Sequence, residues 1–92
     1  MELNHLEKKA EQASALLKAM SNQSRLMILC QLNEGEKSVG ELERIVGLSQ
    51  SALSQHLARL RRDKLVKTRR EAQTIFYSLQ GDEAVTVIKT LY

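Results

Sequence analysis

The sequence predicts a mainly α-helical domain closed by a small β-hairpin, in the order α-α-α-α-β-β-α. Three observations carry this. Apolar residues recur at helical spacing through four segments before residue 63. Capping residues bound those segments, and no proline interrupts them. Beyond Asp63 the pattern changes to two short runs, "LVKTRR" and "TIFYSL", rich in β-branched and aromatic side chains. The 92 residues suffice for one domain, 1–92, whose core leaves little margin, so pairing with a second copy is a natural way to bury more surface.

Asn4 with Glu7 three residues later predicts a capping box opening a first helix over His5 to Met20. Leu6, Ala10, Ala13, Leu16, Leu17 and Met20 fall on one stripe of it. Ser21 or Asn22 caps a second helix that runs through Leu32 and closes near Gly35. Its "LMILC" is apolar almost all round, which predicts the buried centre of the domain. Ser38 and Glu41 form another capping box, starting a short third helix with Val39, Leu42, Ile45 and Val46 inward and Gly47 at its end. Ser49 then caps a fourth helix, with Leu48 and Leu53 as a hydrophobic staple. In that helix Leu53, Leu57 and Leu60 define the buried side, leaving Ser51, Ser54, Gln55, Ala58 and Arg62 outward with Arg59 flanking them. Glu71-Ala72-Gln73 joins the two strands without the usual glycine or asparagine. Gly81 and Asp82 precede a last helix in "EAVTVIKTLY".

The net charge of +3 is unevenly spread. Residues 1–48 hold six Lys/Arg against seven acids, whereas residues 49–79 hold seven against Asp63 and Glu71 alone. Such a segment suits a polyanionic partner, nucleic acid or an anionic membrane surface, or else is a solvated face. Two short helices joined by Gly47-Leu48-Ser49 describe a helix-turn-helix over 38–62, with the hairpin over 65–79 as a wing. In that geometry the second helix lies in the major groove of double-stranded DNA and its N-terminal residues meet base edges. Serine and glutamine suit that place, since a hydroxyl donates or accepts and glutamine bonds adenine in bidentate fashion. The candidate base or groove contacts are Gln50, Ser51, Ser54 and Gln55, with Ser49 as cap and possible phosphate ligand. Arg59 and Arg62 are expected at phosphate or groove edge, Lys67, Arg69 and Arg70 on the wing, and His56 against the domain or a phosphate.

"SVGELERIVGLSQSALSQHLARLRRDKLVKTRREAQTIFYSL" resembles the winged helix-turn-helix of the ArsR/SmtB family of bacterial repressors. "LLKAMSNQSRLMILCQL" is close to that family's usual wording. Cys30 and "REAQTIFYSL" resemble its BigR/HlyU/YgaV-like, redox- or sulfur-sensing subgroup. Glu43 departs from generic helix-turn-helix patterns, where a small residue is common. The resemblance implies a homodimer paired through its first and last helices, 1–20 and 82–92. It also implies two recognition helices reading an imperfect inverted repeat, and a repressor or, as in the HlyU branch, an anti-silencing activator.

No phosphate loop, metalloprotease histidine pair or activated-serine motif occurs, so no enzyme is expected. His5, His56 and Cys30 lack metal-ligand spacing. "EGEKSVGELE" and "GDEAVTVIKTLY" carry no cysteine or histidine where many relatives of the family bind metals, so neither a metal nor a cofactor is expected. Cys30 reads as a small apolar core residue. Leu26, Met27, Asn33 and Glu34 around it supply no cation to favour a thiolate. The subgroup resemblance implies instead a sensing thiol paired with a second cysteine a few residues beyond Tyr92, and oxidants or reactive sulfur species as inducer. One cysteine, no signal peptide and no apolar run longer than Leu26–Cys30 predict a soluble intracellular protein without a membrane partner, and the resemblance implies the bacterial cytoplasm, with nucleoid association when DNA-bound. A winged-helix module that binds only protein, and a basic RNA-binding domain, remain as rivals. The scarcity of aromatics disfavours the second.

Overall fold

In a computed structural model, which describes residues 2–92, the chain forms five helices and a three-stranded antiparallel sheet. Met1, the first residue of the expected 1–20 segment, lies outside the described residues. The elements are α1 (Leu3–Met20), α2 (Gln23–Asn33), β1 (Lys37–Ser38), α3 (Val39–Val46), α4 (Gln50–Arg62), β2 (Val66–Glu71), β3 (Thr74–Leu79) and α5 (Glu83–Leu91). The sheet order is β1-β3-β2. β1 was not foreseen: two residues, "KS", give no alternation to read, and only Lys37↔Tyr77 and Ser38↔Phe76 pairing with β3 makes them a strand.

The start of α1 differs from the expected capping box. Glu2 precedes the helix without a side-chain cap, and Asn4 and Glu7 lie inside it. Every residue from Glu2 to Ala15 is exposed, so water can serve the free N–H groups and no cap is needed to fix the start. Asn22, rather than Ser21, caps α2, its Oδ1 accepting from the Arg25 N–H at 3.0 Å. The junction between the two helices is held by Arg25, which is only 8% exposed. Its Nε–H donates to the Ala19 carbonyl at 2.6 Å and an Nη to the Lys18 carbonyl at 3.3 Å, closing the C-terminus of α1 with a cation.

The core is centred on α2 and α4. Ile28 and Leu29 meet Leu42 of α3, Leu53, Leu57 and Leu60 of α4, Val66 of β2 and Ile88 of α5. At about 1.5–3 kcal/mol for each large apolar side chain taken from water, these contacts fix where α4 sits. Two expected core positions are corrected. α2 is not buried all round, since Met27 is 41% exposed, and Ile45 of α3 is 45% exposed. An eight-residue helix has one buried line, which Leu42 takes, with Val39 and Val46 packed at its margins.

The helix-turn-helix forms as the sequence predicts. Ser38 Oγ accepts from the Glu41 N–H at 3.2 Å, and the Glu41 carboxylate accepts from the Ser38 N–H at 3.0 Å. Both bonds hold the Glu41 carboxyl below its ordinary pKa. Gly47 turns the chain at φ 74°, and Ser49 Oγ accepts from the Ala52 N–H at 3.2 Å. α4 closes in a Schellman motif: Leu65 N–H donates to Leu60 and Lys64 N–H to Arg61, both about 3 Å. Lys64 holds the left-handed position (φ 61°) that glycine usually takes. Ala72, the first residue of the two-residue hairpin turn, likewise sits at φ 55°, while Glu71 belongs to β2 opposite Thr74.

Outside the core, α1 leaves Leu3, Leu6 and Leu17 exposed, and α5 leaves Leu91 and Tyr92 exposed. The first thirteen residues of α1 stay exposed on a chain 48 Å long against 26 and 22 Å across.

Candidate nucleic-acid interface

Burial of Leu53, Leu57 and Leu60 sets the roll of α4 and divides its remaining surface into three strips. Ser51, Gln55, Ala58 and Arg62 form an exposed crest opposite the core. Gln50, Ser54 and Arg61 form an exposed flank that, with Ile75 and Tyr77 of β3, lines a groove between α4 and the wing. Ala52, His56 and Arg59 form the other, half-buried flank. The expected contacts Gln50, Ser51, Ser54, Gln55 and Arg62 are thus brought to one accessible surface, with Ser49 at its start. His56 and Arg59 lie to the side of it.

The arginines differ in what they face. Arg59 points its Nε to 3.7 Å from Asp63 Oδ2, and this nitrogen is buried without a hydrogen-bond partner. Burial first, and then the nearby Arg59 charge, pushes the Arg25 guanidinium below its ordinary pKa; Asp63 opposes the effect. Arg62 is 3.3 Å from Asp63 Oδ1, but its side chain is 70% exposed, and such surface pairs contribute about 0–1 kcal/mol. Arg62 is therefore free to exchange Asp63 for another anion. Arg61, absent from the expected set, has no carboxylate partner among the described residues.

Register fixes the wing. Arg70 opposes Ile75, Thr68 opposes Tyr77 and Val66 opposes Leu79, so these six share the face that turns toward α4 and the core. Lys67 and Arg69 lie on the other face. Arg69 is committed there: it donates to both Glu36 carboxylate oxygens, at 2.7 and 3.1 Å, and to Glu71 at 2.7 Å, and it stacks 4.6 Å from the Phe76 ring centroid. The bonds to Glu36 and then Glu71 hold the guanidinium above its ordinary pKa and pull the Glu36 carboxyl below its own. The basic hairpin therefore offers Arg70 toward α4 and Lys67 away from it, while Arg69 ties the wing to the residues before β1. Glu36 was invisible to sequence reasoning because its partner is 33 positions away.

Cys30 is half-buried in α2, beside the end of α5. Hydrogen bonding and then charge interaction with this thiol raise the pKa of the Tyr92 phenol. No group of three or more His, Cys, Asp or Glu that could hold a metal occurs among the described residues, and none of their helices is long and apolar enough to cross a membrane.

Residues 22–68, from the cap of α2 through the first half of β2, match the family described as bacterial regulatory protein, arsR family. The chain belongs to the arsR family. Within that family it is 56% identical over 92 residues to the transcriptional activator HlyU of Vibrio cholerae, covering 100% of this chain and 85% of HlyU. The structure of reduced HlyU superposes with a TM-score of 0.91 over 97% of this chain and 94% of that one. The biofilm growth-associated repressor of Xylella fastidiosa is 46% identical over 87 residues, 95% of this chain and 76% of the repressor. A second structure, described as the homodimeric winged helix-turn-helix DNA-binding domain Mb0332 of Mycobacterium bovis, a possible ArsR-family transcriptional regulator, gives a TM-score of 0.85 at 26% identity. It covers 98% of this chain and 83% of that one. This arsR-family chain is accordingly a winged helix-turn-helix, DNA-binding transcriptional regulator and not an enzyme.

Proposed function

We propose that the chain acts as a homodimeric repressor in the bacterial cytoplasm, binding an imperfect inverted repeat and blocking transcription from it. The single observation that carries this reading is the exposed crest of α4, Ser51, Gln55 and Arg62, held outward by a leucine-buried back. In the major groove Gln50, Ser51, Ser54 and Gln55 meet base edges, Ser49 and Arg62 meet phosphates, and Arg70 holds the strand beside the wing. Lys67 reaches backbone from the wing's outer face. Arg59 and His56 act as supports on the half-buried flank, and Arg69 fixes the wing.

Residues 1–20 and 82–92 form the dimer interface in this reading. The exposed leucines of α1 and the exposed apolar end of α5 support it, because each leaves large apolar side chains facing solvent. The name of Mb0332 as a homodimer supports it from a relative. Two copies facing one duplex should neutralise on the order of six to ten phosphates, giving a slope of log K against log salt of about −5 to −9. Sedimentation at micromolar concentration should give a dimer. A monomer, or a nearly flat salt dependence, refutes this arrangement.

Cys30 serves as the sensing thiol. Its place beside Tyr92, at the end of one of the two expected dimer elements, supports this, as does the description of HlyU in a reduced state. In the simplest step the thiolate attacks hydrogen peroxide: S–O forms, O–O breaks, the sulfur is oxidised by two electrons to a sulfenic acid, and hydroxide leaves. Peroxide that weakens operator binding in the unaltered protein but not in Cys30→Ser is the expected result; equal response of both excludes Cys30. A second reading, an activator that displaces a silencing protein, is favoured by the naming of HlyU as an activator. A reporter with and without the silencer separates the two.

A further inference from the structure

Two polar side chains of the groove between α4 and the wing, Arg61 and Tyr77, have no part in the preceding reading. The groove encloses about 680 Å³, with Leu57 and Ile75 on its apolar side and Ser54, Arg61 and Tyr77 among its polar groups. We propose that this groove clamps one strand of the DNA duplex, with the Arg61 guanidinium and the Tyr77 hydroxyl on the same phosphodiester. The proposal rests on the DNA-facing orientation of α4 given above, and it adds two binding residues to that surface.

A protein that lays a helix in the major groove and a hairpin over the neighbouring minor groove must straddle the sugar–phosphate strand between them. Arg61 and Tyr77, which face each other across the space between α4 and the wing, are therefore placed to meet that strand. Arg61 is exposed and has no carboxylate partner among the described residues, whereas Arg59, Arg62 and Arg69 each face one. Its forked donors match a phosphodiester, and charge-assisted bonds of this kind are about twice as strong as neutral ones. Tyr77 lies on the central strand of the sheet, paired with Lys37 on one side and Thr68 on the other, so little freedom remains to be lost on binding. The apolar wall of Leu57 and Ile75 keeps part of the site from water and strengthens both bonds.

The test uses the full chain, a duplex selected by the protein from a random pool and a scrambled duplex of equal length, with affinity followed across salt. Arg61→Ala is expected to weaken binding to both duplexes alike, roughly tenfold, and to reduce the salt slope by about one per protomer. Tyr77→Phe should weaken both about three- to tenfold with the slope unchanged, as loss of a neutral donor requires. Independently of any variant, single methylphosphonate substitutions should impair binding of the unaltered protein most strongly on the strand between the α4 and wing contacts. Arg61→Ala should be insensitive to that same substitution. Unchanged affinity and slope in Arg61→Ala, or no methylphosphonate effect between the two contacts, overturns the clamp while leaving selective DNA binding in place. Failure of the unaltered protein to bind either duplex overturns the DNA-facing orientation itself.

Discussion

Replacing Arg25 by methionine removes the polar link between α1 and α2 while keeping the volume of the side chain's stem. Two carbonyls lose a donor, but they are not equivalent. The Lys18 carbonyl retains the Ser21 N–H at 3.3 Å and the Ser21 hydroxyl at 3.0 Å. For the Ala19 carbonyl, at the end of the helix, the only donor among the described residues is Arg25 Nε at 2.6 Å, and Ala19 is fully buried. A buried carbonyl stripped of its partner costs about 1–3 kcal/mol, and a hydrogen bond to a charged group contributes about 1.5–3. Desolvation of the guanidinium, seen in its lowered pKa, offsets part of this. The expected loss is therefore about 2–3 kcal/mol, set by one bond. Arg25→Lys, which keeps a cation near the same carbonyl, should lose only about 1 kcal/mol. Urea unfolding at equal protein concentration measures both, since stability of a dimer depends on concentration. A loss below about 0.5 kcal/mol in Arg25→Met, or a larger loss in Arg25→Lys, would show that the bond to the Ala19 carbonyl does not hold the junction.

Other expectations follow from the left-handed and ionic positions. Lys64→Gly should stabilise by about 1 kcal/mol, because a β-carbon at φ 61° is strained and the Schellman bonds are unchanged; thermal unfolding that shows destabilisation contradicts this. Glu36→Gln should loosen the wing, increasing amide exchange of β2 and β3 at neutral pH. The Glu36 carboxyl has its pKa depressed in the fold, so its stabilisation is present above the unfolded carboxylate range and is lost as pH falls through the folded value. The difference between Glu36→Gln and the unaltered protein should therefore vanish in acid, and one that persists there assigns Glu36 another role.

Most of α4 was legible in the sequence because its information is local. Ser49 as cap, Gly47 as turn and leucines at i, i+4 and i+7 decide start, entry and roll without reference to any other element. The same local rule failed at Asn4 and Glu7, where a fully exposed first turn gains little from a cap. It failed at Met27 and Ile45 because apolar composition does not say how many sides a neighbour covers. The wing was legible as a hairpin, but its chemistry was not. Which of Lys67, Arg69 and Arg70 faces α4 depends on register with β3, and the commitment of Arg69 depends on Glu36, far away in sequence. Arg61 was passed over since its flank becomes a site only once β3 stands across from it.

In the proposed complex the crest of α4 reads bases while the basic side chains around it hold the strands. Affinities of Gln55→Ala and Arg70→Ala for the selected and scrambled duplexes at one salt concentration test it most directly. Gln55→Ala should reduce the ratio between the two duplexes by about 1–3 kcal/mol, whereas Arg70→Ala should weaken both equally. A ratio untouched by Gln55→Ala, with both duplexes weakened alike, would contradict the account.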